Sequence, residues 1–183
     1  MKKLVLLGDS IRQIGYGTKV PDLLSDICEV WQPSDNCRFS FYTLRNIRTW
    51  EENIDGADVI HWNNGLWDVS DRYGDGPLVD ADVYVETMLR IARILKTKAK
   101  TVIFATTTPV RPSADGTENN EDIVRYNKLL VPKLCELGIV INDLHSVVSP
   151  HVDDYICDDN VHLSDAGINA CAGAVADAVR AVL

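Results

Sequence analysis

The sequence predicts a single α/β domain, residues 1–183, built around a parallel β-sheet. Short apolar segments, bounded by Gly, Asp, Thr or Asn, alternate along the chain with longer amphipathic segments. Strands of this kind are covered on both faces, and their alternation with helices implies a parallel sheet with helices on each side. No internal repeat or linker divides the chain. The predicted strands are residues 3–8, 27–32, 57–62, 100–107 and 138–143.

Two long segments between these strands predict amphipathic helices. In residues 80–97 apolar side chains recur at helical spacing, and Asp80 or Asp82 can provide the N-cap. Residues 119–137 follow the same period but include Pro132, where we expect a kink or a break late in the helix. The apolar positions of the first helix are Tyr84, Met88, Ile91 and Leu95.

The last segment of the chain predicts a third helix, which begins after Ser164 as its N-cap. Its stripe of small and apolar residues favours close packing against the sheet. Residues 17–26 and 44–54 have weaker helical patterns.

The charge balance excludes two classes of partner. The chain has 18 Lys and Arg residues against 27 Asp and Glu residues, a formal net charge of −9. Such a surface repels nucleic-acid phosphates and anionic membranes. No apolar run approaches the roughly 20 residues that cross a bilayer. We therefore expect no nucleic-acid and no membrane partner.

The short first apolar run and the spacing of the cysteines indicate a cytoplasmic protein. Only four apolar residues precede Gly8, whereas a secretory signal needs roughly 7–15, so we expect a mature first strand here. The five cysteines are an odd number without a C-x-x-C pair, which predicts reduced thiols.

Ser10 directly follows the first predicted strand, in the stretch "LVLLGDSIRQ". Reactive groups of parallel α/β sheets gather at the carboxyl ends of the strands, where this hydroxyl group is expected. An ordinary turn, with Ser10 capping the next helix, accounts for the same residues. Ser10 alone therefore identifies no site.

Asp159 and His162 lie three residues apart before the last predicted helix, in "CDDNVHLSDAG". A carboxylate that accepts one imidazole N–H leaves the other ring nitrogen free to take a serine proton. Simple loop solvation or a satisfied helix N-terminus are the structural alternatives. A metal site is a third, but the spacing fits neither H-E-x-x-H nor a calcium-binding loop.

Asn63 follows the third predicted strand, in "VIHWNNGLWD". A side-chain amide on such a loop can donate a hydrogen bond to the oxygen that becomes negative during acyl transfer. The alternative is a turn that uses Asn and Gly for their tolerance of positive φ.

Together these motifs resemble the GDSL or SGNH hydrolase superfamily across nearly the whole chain. "GDS" at 8–10 matches its first block and "DNVH" at 159–162 its D-x-x-H block. The resemblance implies a flavodoxin-like three-layer α/β/α sandwich with a five-stranded parallel sheet. It also implies that Ser10 is the nucleophile, His162 the base and Asp159 the residue that orients it.

The two middle blocks depart from the family pattern. In place of G-x-N-D the chain has "NNGLWD", which resembles the PC-esterase-type branch and implies Asn63 as the oxyanion donor, with Asn64 as a substitute. In the second block, "NCRFSFYT", Phe41 replaces the expected glycine. The backbone N–H of Phe41 remains available, and the N–H of Ser10 would be a further donor to the oxyanion.

The expected substrate is a small-molecule ester with a short acyl chain, for example an O-acetyl group on a carbohydrate. Trp67, Tyr73 and Arg111 lie on strand-end loops and are expected to contact it. A serine mechanism implies no cofactor and no metal. A lysophospholipase or thioesterase and a catalytically inactive flavodoxin-like binding module are the alternatives. The sequence makes no prediction of the oligomeric state.

Overall fold

The computed structural model describes residues 1–112 and 117–183. Within them lies a five-stranded parallel sheet of order β2-β1-β3-β4-β5. This is the flavodoxin-like order that the sequence predicts. The strands are β1 Lys2–Leu7, β2 Cys28–Trp31, β3 Ala57–Trp62, β4 Ala99–Ala105 and β5 Val140–Asn142.

Helices cover both faces of the sheet and complete the three-layer sandwich. The helices are α1 Val20–Leu23, α2 Ser40–Asn46, α3 Glu51–Ile54, α4 Leu66–Val69, α5 Ala81–Lys96, α6 Asn120–Glu136, α7 Leu144–Val148, α8 Val152–Tyr155 and α9 Asp165–Arg180. Helices α2, α5 and α6 pack together on one side, and α1, α7, α8 and α9 on the other. None of the helices in the described residues has the length and hydropathy needed to span a bilayer.

The three long predicted helices are confirmed, with differences at their ends. The apolar positions of α5 are buried, and Asp80 precedes the helix without a capping hydrogen bond from its side chain. Pro132 lies inside α6, which continues to Glu136. Ser164 caps α9 by accepting a hydrogen bond from Gly167 N at 3.2 Å.

The two weaker helical predictions are confirmed only in part. Within 17–26 a single turn forms, α1, and it is preceded by a π-helical turn, Ile11–Gly15, and a 3₁₀ turn, Tyr16–Thr18. The region 44–54 is divided between the end of α2 and the short α3. Short turns of this kind lack the sustained period that sequence reading relies on.

The register of the two central strands positions the functional groups. Leu7 of β1 pairs with Trp62 of β3, so both strands end at the same level. Asn63 N, one residue later, donates to Leu7 O at 3.1 Å. The segment that begins at Gly8 and the loop that begins at Asn63 therefore leave the sheet side by side, at the topological switch point where ligands bind in such folds.

Candidate active site

Three side chains predicted from sequence meet at the carboxyl end of β1. His162 Nε2 lies 2.9 Å from Ser10 Oγ, and His162 Nδ1 lies 2.7 Å from Asp159 Oδ2. Both distances are within the range for a nucleophile, its base and the group that orients the base. Because the Asp159 carboxylate accepts a hydrogen bond from the Nδ1–H group of His162, it favours the tautomer in which Nε2 can accept the Ser10 proton.

A tight turn between α8 and α9 holds Asp159 and His162 in this arrangement. Cys157 N donates to His162 O at 2.7 Å, and Ile156 and Leu163 form an antiparallel bridge at the base of the turn. Asn160, at φ 70°, adopts the left-handed conformation that asparagine tolerates. The turn thus brings a carboxylate and an imidazole three residues apart onto one face.

The carboxylate of Asp159 is stabilised in its ionised form. Its Oδ1 accepts from Val161 N at 3.0 Å and from His162 N at 2.9 Å. Burial alone would raise the pKa of Asp159, but these N–H groups together with the His162 ring lower it below its usual value.

The Arg111 side chain contacts the segment 152–158. It does not line the cavity at Ser10. Its guanidinium group donates to Val152 O and Cys157 O, each at 3.4 Å, and to Asp153 O. The Arg111 side chain therefore ties down the segment that carries Asp159, and its expected contact with the substrate stays a prediction.

Asn63 is held beside Ser10 by a buried carboxylate. Asp9 Oδ1 accepts from Asn63 Nδ2 at 2.9 Å and from Ile11 N at 3.0 Å. Burial raises the pKa of Asp9, against the effect of these two hydrogen bonds. A Cβ atom on Gly8 would lie 2.0 Å from Asn63 Oδ1, so only glycine permits this approach.

Asn64, the other candidate amide from the sequence, is held by hydrogen bonds at both ends of its side-chain amide. Its Nδ2 donates to Arg38 O at 2.8 Å, and its Oδ1 accepts from Trp62 Nε1 at 3.2 Å. Asn63 Nδ2, like Asn64 Nδ2, keeps a second hydrogen beyond the one it already gives. Its contact with Asp9, the neighbour of Ser10, favours Asn63 as the oxyanion donor, and that role stays a prediction.

Phe41 is the second residue of α2, and its side chain lies away from Ser10. The ring is 44% exposed and borders a separate groove with Leu44 and Thr87. Any contribution to the oxyanion site is thus limited to the backbone N–H, and that role stays a prediction. The neighbouring Ser40 N donates to both carboxylate oxygens of Asp68, at 3.0 and 3.2 Å.

Arg12 is a buried residue of the site that sequence reading missed. Its guanidinium group donates to Gly8 O at 3.1 Å, Pro33 O at 2.8 Å and Asp35 O at 2.7 Å. Arg12 thereby joins the end of β1 to the loop 32–37. An arginine inside "SIRQIG" has no periodic or motif signal that distinguishes it from a surface residue.

A cavity of about 530 Å³ opens in front of Ser10. Trp67 lines it as expected, whereas Tyr73 does not and is 88% exposed. Gly74 N donates a hydrogen bond to Asp71 Oδ1 at 2.7 Å and closes a turn. Within this turn it is Arg72, and not Tyr73, that lines the cavity. The expected contact of Tyr73 with the substrate stays a prediction. The residues that line the cavity with Ser10 and Trp67 are Asn36, Leu66, Arg72, Thr117, Glu118, Asp159, Asn160, Val161 and His162.

Comparison by sequence finds no relative: no protein-family model matches, and no curated protein is significantly similar. Comparison by structure does. An acetylxylan esterase from Geobacillus stearothermophilus is 20% identical, with a TM-score of 0.75, over 97% of this chain and 94% of that chain. Two catalytic mutants of that enzyme, with a histidine or a serine replaced by alanine, are similar as well.

Two further solved structures have the same fold. A lipase/acylhydrolase from Enterococcus faecalis is 18% identical, with a TM-score of 0.79, over 99% of this chain and 96% of that chain. A GDSL-like lipase from Bacteroides thetaiotaomicron is 17% identical, with a TM-score of 0.79, over 100% of this chain and 89% of that chain. The chain thus has the fold of the GDSL/SGNH hydrolase superfamily, as its motifs imply.

The first prediction concerns Arg111. Arg111→Met keeps most of the apolar stem but removes the hydrogen bonds to the segment that carries Asp159. We expect kcat for an ester substrate to fall about tenfold, and the free energy of unfolding to fall by about 1–2 kcal/mol. Steady-state kinetics and urea unfolding measure the two effects.

The exposed Arg125 provides the matched control, because its ion pair is with Asp122, one turn away on α6, at 3.9 Å. Arg125→Met should change neither quantity. If Arg111→Met instead raised KM and left kcat unchanged, Arg111 would be a substrate contact after all.

The second prediction concerns Asp68. Burial raises the pKa of its carboxyl group from 3.8 to about 7. The folded protein keeps this proton at pH values where the unfolded chain has lost it. Asp68 therefore favours folding below about pH 4 and loses that contribution as the pH rises towards about 7.

Asp68→Asn removes this titration while keeping an acceptor for Ser40 N. We expect the free energy of unfolding of wild type, relative to the variant, to fall between about pH 4 and pH 7, by at most about 1.4 kcal/mol per pH unit. Urea unfolding at several pH values measures it. A difference that is the same at every pH would contradict a buried, titrating Asp68.

Proposed function

We propose that this protein is a serine esterase that hydrolyses a short-chain acyl ester. One observation carries the proposal: Ser10 Oγ lies 2.9 Å from His162 Nε2, and Asp159 contacts the other ring nitrogen. A serine hydroxyl is a poor nucleophile without an adjacent base, and this arrangement provides one. The activities of the similar solved structures, acetylxylan esterase and lipase or acylhydrolase, support ester hydrolysis.

In the first step, Ser10 Oγ attacks the ester carbonyl carbon while His162 Nε2 takes the hydroxyl proton. The C–O π bond opens, and the carbonyl oxygen becomes an oxyanion. Asp159 stays ionised and stabilises the imidazolium through Nδ1–H. The C–O bond to the alcohol then breaks, His162 gives its proton to the leaving oxygen, and an acyl-Ser10 ester remains.

The oxyanion needs donors placed in advance, because these stabilise the charge only when it develops. We assign this role to the N–H of Ser10, the second Nδ2 hydrogen of Asn63 and the N–H of Phe41. Asp9 keeps the Asn63 amide oriented, with Nδ2 towards its own carboxylate.

The second step returns the enzyme to its initial state. A water molecule gives a proton to His162 Nε2 and attacks the acyl carbon of the Ser10 ester. When the tetrahedral intermediate collapses, the bond to Ser10 Oγ breaks and His162 returns the proton to that oxygen. A carboxylic acid leaves, so the overall reaction consumes ester and water and yields acid and alcohol.

The cavity supports a polar alcohol and a short acyl group. Most of its lining residues are polar or charged, and Trp67 provides an aromatic face. The Arg72 guanidinium carbon lies 5.9 Å from the centre of the Trp67 ring, within reach of a cation–π contact. We propose an O-acetylated carbohydrate as the substrate class.

Two alternatives rest on different observations. The lipase and acylhydrolase names among the similar structures favour a longer acyl chain, as in a lysophospholipase or thioesterase. The departure of the second block, where Phe41 replaces glycine, favours an inactive binding module. The first predicts activity that rises with acyl length, and the second predicts an unreactive Ser10.

The third prediction tests the chemistry. Wild-type protein should hydrolyse 4-nitrophenyl acetate and be labelled by a fluorophosphonate at Ser10. Ser10→Ala should lose both, and His162→Ala should reduce turnover by at least about 10³-fold, because the nucleophile then lacks its base. Absorbance at the nitrophenolate band and mass spectrometry of the labelled peptide provide the measurements.

Ser149 is the matched control, since its Oγ lies 3.0 Å from His145 Nδ1 on the exposed surface. Ser149→Ala should keep full activity and labelling. An esterase activity that persisted in Ser10→Ala would place the chemistry elsewhere and refute the proposal.

The fourth prediction tests the substrate class. Trp67→Ala should raise KM for an O-acetylated oligosaccharide about tenfold, while kcat/KM for 4-nitrophenyl acetate changes less than about threefold, because the small ester needs no aromatic platform. Rates should also fall along acetyl, butyryl and octanoyl esters. Tyr73→Ala, outside the cavity, is the control. A preference for octanoyl esters would refute the carbohydrate assignment and leave the mechanism intact.

A further inference from the structure

Tyr16 lies behind the candidate active site and contacts its oxyanion donor. The side chain is fully buried, and its hydroxyl group donates to Asn63 Oδ1 at 2.7 Å. The opposite end of the same amide, Asn63 Nδ2, donates to Asp9 Oδ1 at 2.9 Å. A continuous chain of hydrogen bonds thus runs from a phenol through an amide to a carboxylate.

These two partners determine which way the amide faces. If the Asn63 amide were flipped, its oxygen would lie against the Asp9 carboxylate, and two acceptors would meet without a proton between them. The Tyr16 hydroxyl group can donate or accept, and in the orientation that Asp9 sets it donates to the amide oxygen. Only one of the two Nδ2 hydrogens is used by Asp9.

This chain of hydrogen bonds also polarises the Asn63 amide. A hydrogen bond to a carbonyl oxygen withdraws charge from the amide nitrogen, so its N–H groups become better donors. The effect is largest where water is excluded, and Asn63 is only 5% exposed. Burial also raises the pKa of Tyr16 well above its usual value, so the phenol keeps its proton at working pH.

We propose that Tyr16 is a positioning residue of the esterase, whose hydroxyl group orients and polarises the Asn63 amide so that its second N–H stabilises the oxyanion. The inference rests on the proposed function, because it assigns Tyr16 a role through Asn63 in that reaction. It adds a second support for the oxyanion donor on the side opposite Asp9.

The local backbone explains why Tyr16 reaches this position. Ile11–Gly15 forms a π-helical turn directly after Ser10, and hydrogen bonds in such turns span five residues, one more than in an α-helix. Tyr16 follows in a 3₁₀ turn, and its ring meets His61 of β3 edge-on at 5.5 Å. The turn thereby returns the chain beneath the loop that carries Asn63.

The test is a double-mutant cycle on turnover of 4-nitrophenyl acetate. Tyr16→Phe deletes one oxygen atom and should lower kcat about tenfold with KM within about twofold, because the interaction matters only when the oxyanion forms. In an Asn63→Ala background the same change should lower kcat by less than about twofold, since its route of action has gone. An equal loss in both backgrounds would overturn the inference.

Tyr126→Phe is the matched control. Tyr126 is also fully buried and donates a single hydrogen bond to a backbone oxygen, Val79 O at 2.7 Å, between α6 and the loop before α5. It should leave kcat unchanged. A loss of kcat in Tyr126→Phe as large as in Tyr16→Phe would mean that any buried tyrosine matters through stability alone, and would overturn the inference.

Failure of this inference differs from failure of the proposed function. If Ser10→Ala has the same turnover as wild type, the esterase proposal falls and the role of Tyr16 with it. If turnover depends on Ser10 but Tyr16→Phe retains full kcat, only the role of Tyr16 falls.

A second measurement tests the inference if the Tyr16→Phe variant does not fold. Incorporation of 3-fluorotyrosine at position 16 keeps the shape and the hydroxyl group but makes the phenol a stronger donor. We expect kcat to rise by about twofold with KM unchanged, because the Asn63 amide becomes more polarised. An unchanged or lower kcat would overturn the inference, since packing alone predicts no gain.

Discussion

The pairing of β1 with β3 is the constraint on which the site depends. Because Leu7 and Trp62 are in register, Gly8 and Asn63 leave the sheet in contact, so close that a Cβ atom on Gly8 would overlap the amide. A shift of one residue would reverse the faces of every side chain on the strand. The strand register therefore fixes the distance between the Ser10 segment and Asn63, the proposed oxyanion donor, and long-range packing of α9 brings His162 to the same place.

The sequence predicts most of the fold and the three side chains that meet at the end of β1. Alternation of apolar and amphipathic segments identifies all five strands, and helical periodicity identifies α5, α6 and α9, because these elements each bury one continuous face or stripe. Ser10, Asp159 and His162 could be found because each belongs to a short motif at a strand end or helix start. Motif spacing records local chain geometry, which the turn around Asn160 preserves.

What the sequence could not predict depends on contacts between distant segments. Arg111 and Tyr73 both lie on loops near the site, yet one anchors the 152–158 segment and the other faces solvent. Arg12 and Tyr16 occupy the interior because of an irregular turn that has no period of its own. The choice between the two asparagines of "NNG" likewise requires their partners to be known. Loop position alone therefore does not indicate what a side chain contacts.

The base and the walls of the site differ in physical character. At the base, buried Asp9, Arg12 and Asn63 donate to or accept from one another or backbone groups, and a change at any of them leaves a further buried polar atom without a partner, which is costly. In the walls, Trp67 lies in the short helix α4 and Arg72 in the loop after it, and both retain contact with solvent. Substitution in the walls can change substrate preference with little loss of stability, whereas the base tolerates almost none. On this division, the fold determines how Ser10, Asp159 and His162 are arranged for the proposed reaction, and the residues of the walls determine which ester the cavity would accept.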